Sequence, residues 1–242
     1  MLLDLVYSFL DGTEAPAFVL VKFLMVLVIV VFSLSLHECA HAFAAKKLGD
    51  FTAYHYGRMT LNPLKHLDPA GFLMMAVIGI GFAKPVPINP RNFRDPRKGM
   101  MLSSLAGPLS NFLVAVVATW ISVTAVYCIY PFIAVRTSGD GADYMFSAMY
   151  AFFYYMAYLN FALAIFNLIP CPPFDGSRIF FYFLPKDWYF RVMRYERYLG
   201  IGMLVLFILL GYIGLDPVSF IAHSLIDSIG SPIAFFFELV LK

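Results

Sequence analysis

The run from Val19 to Leu48 is apolar, and inside it stands His37-Glu38-Cys39-Ala40-His41. Upstream lies Phe18-Val-Leu-Val-Lys-Phe-Leu-Met-Val-Leu-Val-Ile-Val-Val-Phe-Ser-Leu-Ser-Leu36, long enough to cross a bilayer as a helix. On a helix, residues four apart sit about 40° apart around the axis, one turn above the other. His37 and His41 can therefore grip one metal ion. Glu38 is one step round from His37, close to where water would approach that metal. His-Glu-x-x-His on a helix is a zinc signature in which the Glu acts as general base. The plainer reading is two histidines packed in an apolar helix, with Glu38 paired elsewhere. Three ionisable groups within five residues at membrane depth argue against it, because such groups are expensive in lipid and mark function. Cys39 points about 200° away from His37 and reads as a small packing residue.

Composition agrees with a membrane setting. Of 242 residues, 61% are hydrophobic and 13% charged. A soluble domain carries about 25% charged residues. The expectation is an all-α polytopic membrane protein, a helical bundle formed as one membrane-embedded domain over 1–242. The odd, scattered cysteines (39, 128 and 171) imply no disulfide framework. No nucleic-acid partner is expected; the lipid bilayer is. The start, Met1-Leu-Leu-Asp-Leu, lacks the basic residues of a signal peptide, so no cleavage is expected there.

Four spans are expected, at 17–48, 99–130, 144–170 and 198–215. Residues 1–16 read as an interfacial segment. Residues 51–89 read as a β and re-entrant region: Phe51 to Leu61 as a strand, and 70–89 as a hairpin dipping into the membrane. The tail, 217–241, is an uncertain span, because Gly230-Ser-Pro232 splits it into two short pieces. Lys46, Lys47, Arg58, Lys65, Lys84, Arg91, Arg94, Arg97 and Lys98 are nine of the 17 basic residues. Short loops so rich in base face the cytoplasm. The histidines then lie roughly 8–14 Å above the Lys46-Lys47 pair, near that face. The expected location is the cell (inner) membrane, with the active site toward the cytoplasm.

A catalytic zinc takes three protein ligands and keeps one open position. Asp175 suits the third place: the 144–170 span returns inward and ends near it. Prolines 170, 172 and 173 break the backbone just before it, and Gly176 permits a sharp turn after it. Its other reading is a turn-capping carboxylate. His55, His66, Asp68 and Cys171 are weaker competitors. Asn111, polar at depth, reads equally as an interhelical hydrogen bond or a part of the site. His223 and Asp227 share the i, i+4 spacing, but no third ligand is apparent beside them.

His37-Glu-Cys-Ala-His41, Gly107-Pro-Leu-Ser-Asn111 and Asn167-Leu-Ile-Pro-Cys-Pro-Pro-Phe-Asp-Gly176 resemble the three signatures of the site-2 protease family of intramembrane zinc metalloproteases. Lys84-Pro-Val-Pro-Ile-Asn-Pro90 resembles a loop of the branch without a PDZ or CBS domain. The resemblance covers about 20 to 180, in the family's order. It implies a three-helix catalytic core, Zn2+ on His37, His41 and Asp175, and Glu38 as base. It also implies that Asn167 contacts substrate or the oxyanion. Phe174 departs from the family's usual Leu before Asp-Gly, a hydrophobic exchange. The implied activity is hydrolysis of peptide bonds in or near the transmembrane segment of a membrane-protein substrate. An edge of the 51–61 strand or of the 70–89 hairpin is expected to pair with the unwound substrate. A regulatory membrane partner or a homodimer is a further expectation.

Two rival functions make different demands. A zinc-binding escort without catalysis needs no Glu38. A metal transporter distributes polar groups across the membrane and often shows inverted repeats; here the charged cluster keeps to one depth.

Overall fold

The computed structural model describes residues 16–69, 71, 84–131, 140–185, 188, 191–192 and 194–240. The expected interfacial segment at 1–16 falls almost wholly outside these residues, as do 70 and 72–83 of the expected hairpin. Two compact units divide the chain, Met1–Gly107 and Pro108–Lys242.

The first unit is built on α1, Pro16–Lys47. Its many β-branched residues would be mediocre helix formers in water. In lipid every backbone N–H and C=O must be satisfied within the segment, so the run is helical regardless. Lys46 and Lys47 sit in the last turn, where positive charge complements the helix dipole. Gly49, at φ 104°, then turns the chain in the left-handed region, and Asp50 N–H donates to the Ala45 carbonyl at 2.9 Å. A short helix, α2 (Thr52–His55), follows.

That helix overturns the strand expected over 51–61. Thr and aromatic content suggested β-structure, but the stretch bends sharply: Tyr56 N–H reaches back to Thr52, and Gly57 takes φ 64°. Among the described residues no β hairpin or sheet forms. Lys84 N–H donates to the His66 carbonyl at 2.7 Å, and 84–89 is irregular backbone. A strand edge at 51–61 that pairs with substrate is therefore excluded.

The helix α3 (Pro96–Thr124) begins in the first unit and continues as a π-turn over Ala125–Ile129. Pro108 inside it has no N–H to offer the Ser104 carbonyl. In the second unit come α4 (Asp140–Asn167), α5 (Asp175–Phe181), α6 (Glu196–Tyr212) and α7 (Pro217–Val240). Ala115, Ala118, Ala157, Phe161, Ala222 and Ile226 form the buried core of this unit. Small residues let the backbones approach, which is how helices associate in lipid.

Among the described residues, four helices are long and apolar enough to cross a membrane: Ala17–Lys47, Pro96–Ile129, Tyr144–Asn167 and Pro217–Val240. The protein is a multi-pass membrane protein. The fourth of these is the tail, and Tyr198–Tyr212, within the expected 198–215 span, is a shorter apolar helix. Pro232 lies inside α7 without dividing it. Gly230 is buried, and a Cβ there would meet Val123 at an ordinary 3.4 Å.

Candidate metal centre

His37 and His41 stand in the last three turns of α1, 5% and 6% exposed. Their Nε2 atoms face each other at 3.0 Å. Two nitrogens on one tetrahedral zinc, each at about 2.0–2.1 Å, are about 3.3 Å apart. His41 Nδ1 lies 2.7 Å from the Ser103 carbonyl. A carbonyl only accepts, so Nδ1 carries the hydrogen and Nε2 keeps its lone pair for a metal. Such a backbone partner also fixes the ring's orientation.

Gly107 explains how α3 comes so near. A Cβ on it would fall 2.5 Å from His41 Cε1 and Nε2, and 2.6 Å from His37 Cε1. No real side chain tolerates that approach. The imidazoles thus occupy the space that glycine leaves open, which suits rings held edge-on toward an ion.

Glu38 is half-buried, and its Oε2 accepts a hydrogen bond from Val86 N–H at 2.8 Å. Pro85 and Pro87 flank Val86 and offer no N–H of their own. The 84–87 stretch is tied from behind by Arg58, whose Nη2 donates to the carbonyls of Lys84 and Pro85. Sequence reasoning missed Val86 and Arg58. The signal in the sequence is the proline spacing of Lys84-Pro-Val-Pro, which singles out one N–H.

In the second unit, Asp175 opens α5 and is half-buried. The break before it holds a cis Pro172-Pro173 peptide. Gly176 was expected to serve a sharp turn. Its actual constraint is space: a Cβ would lie 2.3 Å from the Leu168 carbonyl oxygen and 2.4 Å from that of Ile169. Asn167 Nδ2 donates to Leu163 O at 3.0 Å, back onto its own helix.

Several other candidate ligands are engaged elsewhere. His66 is buried, its Nε2 2.8 Å from the Thr60 carbonyl. Asp68 accepts from Gly71 N–H at 3.0 Å, a turn-capping role. His223 contacts the Tyr154 hydroxyl at 3.0 Å through Nδ1. Asn111 is fully buried, and among the described residues its amide nitrogen has no hydrogen-bond partner and makes no interhelical bond.

Comparisons with known proteins point the same way. Residues 129–211 match the sequence model of Peptidase family M50. The chain is 39% identical to YwhC of Bacillus subtilis (strain 168) over 189 residues, which are 78% of this chain and 81% of YwhC. It is 31% identical to Rip2 of Mycolicibacterium smegmatis over 159 residues, 64% of this chain and 55% of Rip2. It is 26% identical to zinc metalloprotease MJ0392 of Methanocaldococcus jannaschii over 198 residues, 81% of this chain and 45% of that protein. All three relatives bear zinc metalloprotease names. No solved structure matches the chain. The histidine pair on a membrane helix and the extent of the likeness to YwhC together show that the chain belongs to peptidase family M50, the site-2 proteases, and is a zinc metalloprotease.

Proposed function

We propose that this chain cleaves peptide bonds in or near the transmembrane segment of membrane-protein substrates, with zinc held by His37, His41 and Asp175. The observation that carries the reading is the buried histidine pair, its Nε2 atoms 3.0 Å apart, next to Glu38 on one membrane-length helix. Two nitrogens and one carboxylate oxygen are a donor set of the kind catalytic zinc uses, leaving a fourth position open. The Gly107 cradle and the Ser103 carbonyl behind His41 fit the same reading.

A zinc ion held there would supply Lewis-acid activation of water and of the scissile carbonyl. Glu38 is the general base: it takes a proton from the attacking water and returns one to the leaving amine. Asn167 has a second amide N–H beyond the one spent on Leu163, and that N–H would donate to a substrate carbonyl. The nine basic residues between 46 and 98 support a site that opens toward the cytoplasm from the cell membrane.

The test uses the full chain in proteoliposomes with a panel of single-span reporter proteins. Glu38→Gln should abolish cleavage while keeping one zinc per chain. Asp175→Ala should lose both. Retained cleavage in Glu38→Gln would refute the assigned base. Full zinc binding in Asp175→Ala would refute the third ligand. Zinc-dependent stability without cleavage of any reporter by the unaltered chain would favour a non-catalytic escort.

A further inference from the structure

Asp50 lies well away from the zinc donors in sequence, yet it is fully buried, with 0% exposure. Its partners are uncharged donors. Oδ1 accepts from Thr52 N–H at 3.0 Å, from the Thr52 hydroxyl, and from Asn92 Nδ2 at 2.7 Å. Oδ2 accepts from Asn89 N–H at 2.7 Å. Burying a carboxylate is costly, and this one is offset only by hydrogen bonds. Such a cluster in a loop wants an explanation beyond turn formation. Thr52 alone would satisfy a turn; the bonds to Asn89 and Asn92 bridge 39 and 42 residues.

What those bonds hold is the segment that reaches Glu38. Lys84-Pro85-Val86-Pro87-Ile88-Asn89-Pro90 contains three prolines, which fix φ and stiffen it. Its front end is tied by Arg58 to the Lys84 and Pro85 carbonyls, and by Lys84 N–H to His66. Its rear end is tied by Asp50 to Asn89 N–H. Between the two ties, Val86 N–H meets Glu38 Oε2 at 2.8 Å. Gly49, at φ 104°, makes the turn that brings Asp50 to this end.

We propose that Asp50 is a positioning residue for Glu38: it pins Asn89 and Asn92 so that the proline-stiffened 84–89 segment presents the Val86 N–H to one carboxylate oxygen. The other oxygen is then aimed for proton transfer. A free glutamate side chain samples several rotamers; one fixed oxygen selects among them. The proposal rests on the reading of Glu38 as base, and Glu38→Gln separates the two.

The experiment measures kcat, KM and bound zinc on a single-span reporter cleaved by the unaltered chain, for the full chain in proteoliposomes. Asp50→Asn puts an amide NH2 against donors that now meet oxygen. Val86→Pro removes the N–H as well as changing the side chain, whereas Val86→Ala keeps the N–H and changes only packing. Asp50→Asn and Val86→Pro should each lower kcat by roughly tenfold to a hundredfold, with KM little changed and zinc retained. Val86→Ala should fall far less than Val86→Pro. Asp50→Asn combined with Val86→Pro should cost no more than the worse single change, because both act through one hydrogen bond. Unchanged kcat in Asp50→Asn, losses that multiply in the double variant, or equal losses in Val86→Ala and Val86→Pro would overturn the proposal. If Asp50→Asn does not fold, the Val86→Pro against Val86→Ala contrast decides alone. If Glu38→Gln keeps its activity, the base assignment fails first.

Discussion

His37/His41 on α1 and His223/Asp227 on α7 share one sequence feature, two ionisable groups four residues apart in an apolar helix. They have different surroundings. His37 and His41 are 5% and 6% exposed, with their Nε2 atoms 3.0 Å apart. His223 and Asp227 are exposed, and His223 engages the Tyr154 hydroxyl and stacks on Tyr158, ring centroids 4.8 Å apart. Spacing makes two side chains neighbours. A metal site also needs burial, a fixed ring and a third donor, and those come from other segments.

The largest effect should come from the first pair. His37→Ala or His41→Ala should cut reporter cleavage by at least about a thousandfold and abolish zinc binding, read by metal analysis. His223→Ala should change cleavage by less than about threefold. Comparable losses at both places would erase the distinction.

The next contrast uses two glycines. Gly107→Ala forces a Cβ to 2.5 Å from His41, whereas Gly230→Ala makes ordinary contact at 3.4 Å. Gly107→Ala should weaken zinc binding about tenfold to a hundredfold in a chelator competition. Gly230→Ala should leave zinc affinity within about twofold. Equal behaviour would mean the imidazoles do not depend on the opening at 107.

A smaller effect concerns Asp50. Burial pushes its carboxyl up, but the hydrogen bonds from Thr52, Asn92 and Asn89 outweigh that and hold it below the ordinary carboxylate range. A group lowered on folding adds stability that is present above its unfolded pKa of about 3.9 and is lost as pH falls through the folded value. Melting of the detergent-solubilised chain should therefore drop between about pH 4 and the lower folded value. Asp50→Asn should flatten that part of the profile, and an unaltered slope would contradict it. His223 has no such anchored network, so His223→Ala should leave this acid limb as it is.

The smallest effect belongs to Asn111. Its buried amide nitrogen has no partner among the described residues, and an unmet group of this kind costs about 1–3 kcal/mol. Asn111→Leu should be neutral or raise the melting temperature slightly. A loss of cleavage without loss of stability would mean the amide is kept for the site.

The sequence by itself determined the membrane setting, the helical nature of 17–47, and the pairing of His37 with His41. These follow from local rules: hydrophobic length, the demand that lipid places on backbone groups, and a period of 3.6. Pro232 inside α7 and the α2 helix at 52–55 were misread, because propensity and proline content are weak priors that neighbours override. Tertiary structure alone decided which N–H meets Glu38, what Gly107 makes room for, and why Asp50 is buried. Each is a contact across a long stretch of chain, Val86 standing 48 positions after Glu38, and residue spacing carries no distance information at that range.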